Sequence, residues 1–253
     1  MIEDGADILD IGGESTRPGS EYIGENEEID RVLPILEGIR KFDKNIAISI
    51  DTRKTNVIKT CVKSGADILN DISALEDGEN IAEFVSESKI PVILMHKRGV
   101  PLTMQKNTKY ADVIKEVSEY LCERADFAFS KGINPEKIIF DLGIGFGKDL
   151  SSNLDLIANC NFFKTCWEHH QKEGTPILMA LSRKTCIGEL TGKPVEQRLS
   201  GSLSANIFSV MKGASILRVH DVKEASECIK LYNILGKKNN ENHISTTRNC
   251  MGR

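Results

Sequence analysis

The sequence lacks the features that mark membrane and secreted proteins. It contains no run of 18 apolar residues, so we expect no transmembrane helix. Its first residues, MIEDGAD, are partly acidic, whereas a secretory signal begins with positive charge and continues with an apolar segment. These absences predict a cytoplasmic protein that has no membrane partner.

Cysteine and histidine do not occur at the spacings of common metal and redox sites. None of the seven cysteines forms a CxxC pair, which predicts scattered reduced thiols rather than a disulfide framework. No HxxxH or HExxH spacing occurs, so a zinc site built by the protein alone is not expected. The chain also lacks an excess of positive charge, and its net charge of -4 argues against nucleic acid as the main partner.

What the chain does contain is one repeated pattern. Short apolar runs rich in β-branched residues alternate with amphipathic helical patterns, which predicts βαβ units. Because the runs are continuously apolar, we expect parallel strands that are buried on both faces. The apolar runs are 7–12, 47–51, 68–71, 91–96, 137–141, 176–181 and 215–220. The helical patterns include 26–42, 54–64, 81–88, 112–131 and 199–212.

Two α/β architectures fit this pattern, a doubly wound open sheet and a TIM (β/α)8-type barrel. Every apolar run ends at its C-terminal end with a polar or charged group, and barrel enzymes collect such groups from many strands. An open sheet concentrates its site at one switch point. We therefore predict a TIM-type barrel over residues 1–235, incomplete because only seven strands can be identified. Residues 236–253 are almost devoid of apolar side chains and are predicted to form a disordered polar tail.

The groups at the strand ends favour a site for an anionic small molecule that carries a heterocycle. The glycine-rich turn GGESTRPG (12–19) is typical of anion sites. Asn70 and Asp71 place an amide beside a carboxylate, which suits the donor and acceptor edge of a heterocycle. Arg218 and His220 lie two residues apart in a predicted strand, so both are expected to face one site and to suit a phosphate or pyrophosphate. Each feature alone could be a helix cap or a surface residue.

Two further loops add to this prediction. The glycines of FDLGIGFGK (140–148) are expected to shape a pocket loop that holds Phe146 and Lys148 near a ligand, with Asp141 beneath it. In LSRKTCIG (181–188), adjacent cations precede a predicted helix start, where free N–H groups favour a carboxylate or phosphate. Together the strand ends predict an enzyme that acts on a phosphorylated small molecule.

Seven motifs make the sequence similar to the dihydropteroate synthase family. In chain order they are DILDIGGESTRPGS, ISIDTRK, ILNDIS, ILMHKRG, FDLGIGFGK, LSRKTCIGELTG and LRVHD, within residues 6–221. The resemblance implies a transferase of folate biosynthesis that condenses p-aminobenzoate with (7,8-dihydropterin-6-yl)methyl diphosphate. The products are 7,8-dihydropteroate and pyrophosphate. It also implies Mg²⁺ as cofactor, a homodimer, and sulfonamides as inhibitors.

The resemblance further implies roles for individual residues. The residues that the resemblance implies for binding the pterin are Asp51, Asn70, Asp141 and Lys184. Those implied for the pyrophosphate are Arg218 and His220, with Thr16 and Arg17 on a loop that closes over it. Those implied for p-aminobenzoate are Ser182 and Thr185, with Phe146 as a wall of the pocket. Those implied for catalysis are Asp51, Lys184, Arg218 and His220, with Asp51 placed to stabilise positive charge on the pterin as pyrophosphate departs.

One departure from the family leaves alternatives open. Family members begin with a strand reading roughly GILNVTPDSFSDGG, whose Asn is the protein ligand of Mg²⁺, and this sequence shows no such segment. The first apolar run is therefore expected to be the second strand of the barrel, and no protein metal ligand is predicted. A truncated, non-catalytic pterin-binding protein is one alternative. A methyltetrahydrofolate-dependent corrinoid methyltransferase domain is another, although it needs neither the SRK nor the RVHD motif.

Overall fold

The computed structural model is an α/β fold in which strands and helices alternate along the chain. It describes residues 1–15, 19–99, 107–167 and 174–250, with side chains described up to residue 236. The strands are β1 (Ile8–Gly12), β2 (Ala47–Asp51), β3 (Ile68–Asp71), β4 (Val92–Met95), β5 (Ile138–Asp141), β6 (Ile177–Met179) and β7 (Ile216–Leu217). The helices are α1 (Glu25–Phe42), α2 (Thr55–Lys63), α3 (Ile81–Ser88), α4 (Val113–Ser130), α5 (Leu150–Ala158), α6 (Cys160–Thr165), α7 (Thr185–Thr191), α8 (Leu199–Met211) and α9 (Val222–Cys250).

In the described residues the strands form one curled parallel sheet in the order β1 to β7, an incomplete, half-barrel version of the TIM type. Each strand pairs in parallel with the next along the chain, as βαβ units require. Within the described residues, β1 and β7 are the two edges. The predicted fold is therefore confirmed. The predicted helices 26–42, 54–64, 81–88, 112–131 and 199–212 match α1 to α4 and α8 within one residue at each end.

The last strand is shorter than the run 215–220 predicts. β7 ends at Leu217, and its final hydrogen bond to β6 runs from the Arg218 N–H to the Met179 carbonyl at 3.0 Å. The chain then leaves the sheet, and the His220 N–H turns to Ser182 Oγ at 3.3 Å. The prediction that Arg218 and His220 share one side of a strand is therefore wrong, because neither belongs to β7.

The sheet separates two apolar layers. Its outer face packs against the helices in a large core that includes Ile48, Ile50, Leu69 and Leu94. Its inner face carries a smaller cluster of apolar side chains, which are Ile8, Ile68, Ile93, Ile139, Leu178, Ala180 and Ile216. Burial on both faces explains why the strands read as continuous apolar runs rather than as alternating patterns.

The C-terminal helix α9 extends beyond the residue at which the barrel was predicted to end. Helix α9 runs from Val222 to Cys250 and so includes residues 236–250. The side chains from 237 onwards lie outside the described residues. The domain boundary at 235 and the disordered tail stay predictions. In the part of the chain that the structure describes, no helix is long and apolar enough to cross a membrane.

Candidate active site

Polar side chains form a ring directly above the inner apolar cluster. On a strand, residues two apart point to the same face, so the residue two positions after each inner apolar residue also points inwards. Three ring members arise in this way, since Asp10, Asn70 and Asp141 follow Ile8, Ile68 and Ile139. Arg218, directly after β7, belongs with them because it pairs with Asp10 and Asp51. Asp51 joins them because the register pairs it with Asn70. We call Asp10, Asp51, Asn70, Asp141 and Arg218 the inner ring.

Asp10 is the centre of the hydrogen bonds within the inner ring. It accepts from Ser49 Oγ at 2.5 Å and from Arg218 Nε at 2.6 Å. Asn70 Nδ2 lies 3.3 Å from each carboxylate oxygen of Asp10, so this contact orients the amide. The sequence prediction did not single out Asp10. The alternation of inward residues along β1 was the signal that could have identified it.

Asp51 is a carboxylate in an unfavourable electrostatic position. Burial, and then the charge of Asp10, raises the pKa of Asp51 to about 7, although Arg218 acts in the opposite direction. The Arg218 Nη2 atom lies 3.4 Å from Asp51 Oδ2. Its guanidinium therefore bridges two carboxylates, Asp10 and Asp51, that would otherwise repel each other.

On the opposite side of the inner ring, Asp141 faces the ammonium of Lys184. Burial raises the pKa of Asp141, and the charge of Lys184 is the largest influence that opposes this rise. The Lys184 ammonium donates to the Ile144 carbonyl and lies 4.8 Å from the centre of the Phe146 ring. The structure thus brings three sequence-predicted residues, Asp141, Phe146 and Lys184, to one side of the ring.

Lys148, which the sequence placed near a ligand, is instead buried beneath its loop. Its Nζ lies 2.9 Å from His96 Nδ1 and donates to the carbonyls of Gly143 at 2.8 Å and Phe146 at 3.1 Å. Burial lowers the pKa of Lys148 well below its usual value. The prediction for Lys148 is wrong because the carbonyls of its own loop fold around the ammonium. The Lys148 ammonium instead stabilises the loop that carries Phe146.

Gly143 shows how closely this loop approaches β4. Its φ is 63°, and a Cβ atom there would lie 1.8 Å from the His96 carbonyl oxygen. Only glycine fits this contact, because any side chain would collide with backbone. The glycines of 140–148 therefore serve close packing as well as the turn.

Replacement of Lys148 by Met is expected to lower the free energy of unfolding by about 2 kcal/mol, since buried carbonyls lose their donor. Urea denaturation measures the change. Lys131→Met is a matched control, because the Lys131 ammonium lies at the surface, where it pairs with Glu83 and lies 5.5 Å from the centre of the Phe127 ring. Its loss is expected to cost under about 0.5 kcal/mol. Equal effects of the two substitutions would contradict the role assigned to Lys148.

Two strand-end residues point away from the inner ring. Asp71 accepts from the N–H groups of Ser73 and Leu75, at 2.7 and 2.8 Å, and so caps a turn. His96 packs edge-on against Tyr120, with 5.0 Å between ring centres. Of the predicted Asn70–Asp71 pair, only Asn70 therefore faces the site.

Ser182 and Lys184 lie on the turn between β6 and α7, directly before Thr185. Ser182 Oγ lies 3.0 Å from His220 Nδ1, so the structure brings these two predicted residues together. Thr185 begins α7 and is exposed. Arg183, on the same turn, forms an ion pair with Asp221 at 2.5 Å, which connects the turn to the segment after β7. The sequence analysis did not predict this ion pair.

The loop after β1 is closed at its base by Glu14. Glu14 Oε1 accepts from the Ile23 N–H at 3.2 Å, which joins the two ends of the segment 14–23. Its Oε2 lies 3.2 Å from both Arg53 Nε and Lys54 Nζ. Thr16 and Arg17, the predicted residues on this loop, lie outside the described residues.

Lys54 is the buried counterion of two carboxylates. Besides Glu14, its Nζ lies 2.5 Å from Oε2 of Glu28, a residue of α1 that is fully buried. In the described part of the chain, Glu28 Oε1 has no hydrogen-bond partner. The free energy of burying the Glu28 carboxylate therefore depends on the charge of Lys54.

Replacement of Lys54 by Met is expected to lower the free energy of unfolding by about 3 kcal/mol, because it leaves Glu28 charged and uncompensated. The double variant Lys54→Met with Glu28→Gln removes that charge and is expected to recover part of the loss. Chemical denaturation of both variants tests this. A double variant less stable than Lys54→Met would contradict the argument.

The residues around the inner ring do not themselves form a divalent-cation site. Over residues 1–15, 19–99, 107–167 and 174–236, no cluster of three or more His, Cys, Asp or Glu side chains is suited to hold a metal. Asp10 and Asp51 already pair with the Arg218 guanidinium. The side chains present do not fit a resident Mg²⁺.

Comparison with known proteins agrees with this geometry. The family model described as pterin binding enzyme matches residues 1–220. Dihydropteroate synthase of Haemophilus influenzae is 42% identical over 233 residues, which cover 92% of this chain and 81% of that protein. Dihydropteroate synthase of Escherichia coli K12 is 44% identical over 232 residues, which cover 91% of this chain and 79% of that protein.

Solved structures give the same result. A Xanthomonas albilineans dihydropteroate synthase with 4-aminobenzoic acid is 37% identical, has a TM-score of 0.85, and is matched over 93% of this chain and 81% of that chain. A Yersinia pestis dihydropteroate synthase in a sulfonamide drug complex is 35% identical and has a TM-score of 0.86. The match covers 93% of this chain and 82% of that chain. The chain therefore belongs to the dihydropteroate synthase family of pterin-binding enzymes.

Proposed function

We propose that this chain joins p-aminobenzoate to (7,8-dihydropterin-6-yl)methyl diphosphate, forming 7,8-dihydropteroate and pyrophosphate. The observation that carries the proposal is the inner ring, in which carboxylates, an amide and a guanidinium stand above an apolar floor at the C-terminal ends of the strands. The relatives named dihydropteroate synthase support it.

The pterin is proposed to bind within the inner ring. A pterin edge carries both N–H donors and acceptors, so it needs partners of both kinds. Asp51 and Asp141 supply acceptors, while Lys184 supplies a donor, and the amide of Asn70 can supply either. Lys184 already donates to the Ile144 carbonyl, which fixes its position beside Phe146.

Arg218 and His220 are proposed to bind the diphosphate. Arg218 is 44% exposed at its side chain, so its guanidinium is accessible from the open end of the barrel. His220 lies at the same end, held by Ser182. Neutralising the diphosphate makes it a better leaving group, and Asp51 is then placed to stabilise positive charge on the pterin.

The p-aminobenzoate is proposed to bind beside Phe146. Ser182 and the start of α7 at Thr185 offer a hydroxyl and N–H groups to its carboxylate, and Phe146 forms an apolar wall. Thr16 and Arg17 are proposed to close over the same place. A sulfonamide complex is known for the Yersinia pestis relative, and we propose that sulfonamides compete for this pocket here.

Mg²⁺ is proposed to reach the site with the diphosphate. The ion commonly binds substrate phosphates and keeps several waters, so it needs few protein ligands. Because the described side chains do not form a site for it, the roles assigned here are those of the side chains alone.

The homodimer and the cytoplasmic location also stay proposals. Helices α8 and α9 pack together and expose a group of large apolar side chains, which are Phe208, Met211, Leu231, Ile234 and Leu235. A second copy of the chain would cover such a surface. Sedimentation velocity of the purified chain tests the dimer.

Steady-state assay of the 253-residue chain with both substrates and Mg²⁺ tests the proposed reaction. We expect dihydropteroate and pyrophosphate to form in equal amounts. Thermal shift with each substrate provides the second readout. Stabilisation by the pterin diphosphate without any product would instead support a non-catalytic pterin-binding protein and contradict the proposal.

A further inference from the structure

Two cysteines lie side by side on the helical layer outside the barrel. Cys122 on α4 and Cys166, the residue that follows α6, have their Sγ atoms 3.5 Å apart, and both are half-buried. Cys122 Sγ also lies 3.4 Å from the Cys166 carbonyl oxygen. The two thiols are thus in direct contact, although they lie 44 positions apart along the chain.

The contact is held by its surroundings. One helical turn after Cys122, Asp126 accepts from Trp167 Nε1 at 2.8 Å, so a second bond joins the same two segments. The Cys166 Sγ lies 3.4 Å from the Phe163 carbonyl, which fixes it against α6. Because an S–S bond is about 2.05 Å long, the sulfurs need to approach by only about 1.5 Å.

The two thiols differ in reactivity. When Cys122 loses its proton, the Cys166 thiol can donate a hydrogen bond to it, which holds the pKa of Cys122 below its usual value. The same interaction, together with burial, raises the pKa of Cys166. Cys122 is therefore the better nucleophile of the pair, because the thiolate is the reactive form.

We propose that Cys122 and Cys166 form an oxidation site at which a peroxide produces an intramolecular disulfide between α4 and the end of α6. The Cys122 thiolate attacks one peroxide oxygen, so an S–O bond forms, the O–O bond breaks, and the departing hydroxide takes up a proton. The Cys166 sulfur then attacks Cys122, which forms the S–S bond and releases the second water. For hydrogen peroxide the balance is two thiols plus H₂O₂ to one disulfide plus two H₂O, with two electrons passing to the peroxide.

The disulfide is expected to stabilise a functional part of the barrel. The closed loop contains β5, the segment 142–148 and α5, and therefore Asp141, Phe146 and Lys148. Cross-linking restricts the unfolded chain over this length, so the oxidised form is expected to melt several degrees higher.

The test uses the 253-residue chain with Cys228→Ser and Cys250→Ser, which leaves five of the seven cysteines. After limiting hydrogen peroxide, thiols are counted under denaturing conditions and peptides are analysed by mass spectrometry. We expect three free thiols, a linked Cys122–Cys166 peptide, and a melting temperature that returns to its original value with dithiothreitol. Cys160→Ser is the matched control, because burial raises the pKa of Cys160 to about 11. This variant is expected to lose two of its four thiols and to form the same linked peptide.

Single variants of the pair complete the test. Cys166→Ser is expected to trap a sulfenic acid on Cys122 that dimedone labels, whereas Cys122→Ser is expected to retain its thiols. Five free thiols after treatment of the parent, or equal loss of thiols in Cys122→Ser, would overturn the proposal. The count does not depend on turnover, so failure here is distinguishable from failure of the proposed reaction.

Discussion

Replacement of Asp51 by Asn is expected to make the protein more stable at pH 8 and nearly inactive. Asp51 is buried near Asp10, and its pKa is raised to about 7. Its folded state therefore holds a proton more tightly than the unfolded chain does, so its contribution to stability falls as pH rises from about 4 to about 7. Asparagine has nearly the same shape as the Asp51 side chain but carries no negative charge.

The stability gain of Asp51→Asn is expected to be near zero below pH 4 and on the order of 2 kcal/mol at pH 8. Urea denaturation at both values measures it. Turnover is expected to fall roughly 100- to 1000-fold, because the charge that stabilises the pterin cation is lost. A variant that is less stable than the parent at pH 8 would contradict the electrostatic account of Asp51.

Replacement of Arg218 by Met is expected to have the opposite effect on stability and a similar effect on activity. Arg218 bridges Asp10 and Asp51, so its loss leaves two neighbouring carboxylates without their counterion. The part of the penalty that comes from Asp51 needs this carboxyl to be ionised, so the loss of stability is expected to be about 2 kcal/mol larger at pH 8 than at pH 5. The kcat/KM for the pterin diphosphate is expected to fall about 1000-fold, since the diphosphate loses its cation.

Two further variants separate charge from geometry at Arg218. Arg218→Lys keeps the charge and is expected to retain most of the stability at pH 8 while losing the paired hydrogen bonds. Combining Arg218→Met with Asp51→Asn is expected to abolish the pH-dependent loss. If that double variant is as unstable at pH 8 as Arg218→Met alone, the bridge is not the source of the effect.

Most of the barrel was predictable because its strands and helices follow local rules. The continuous apolar runs predicted the seven strands that the described residues form, and the periodicity predicted helices such as α1 and α4 within a residue. Asp51 and Asn70 were predicted at strand ends and face the inner ring, as the two-residue period of a strand requires. Strand β7 was predicted too long, because only contact with β6 decides where an edge strand ends.

The remaining differences arise where distant segments meet. Lys148 was predicted near a ligand, and only the folded loop shows that carbonyls of 143 and 146 enclose its ammonium. The pairing of Arg183 with Asp221 joins residues 38 positions apart, which no local pattern reveals. The thiol contact of Cys122 with Cys166 was hidden in the same way, because cysteine spacing alone predicted isolated thiols.

The most direct test of the account is a crystal structure of this chain with a dihydropterin analogue and p-aminobenzoate. The account predicts the pterin inside the barrel, within hydrogen-bond distance of Asp51, Asn70 and Asp141, and p-aminobenzoate against Phe146. A pterin bound elsewhere, or bound within the barrel but without contact to these carboxylates and the amide, would contradict it.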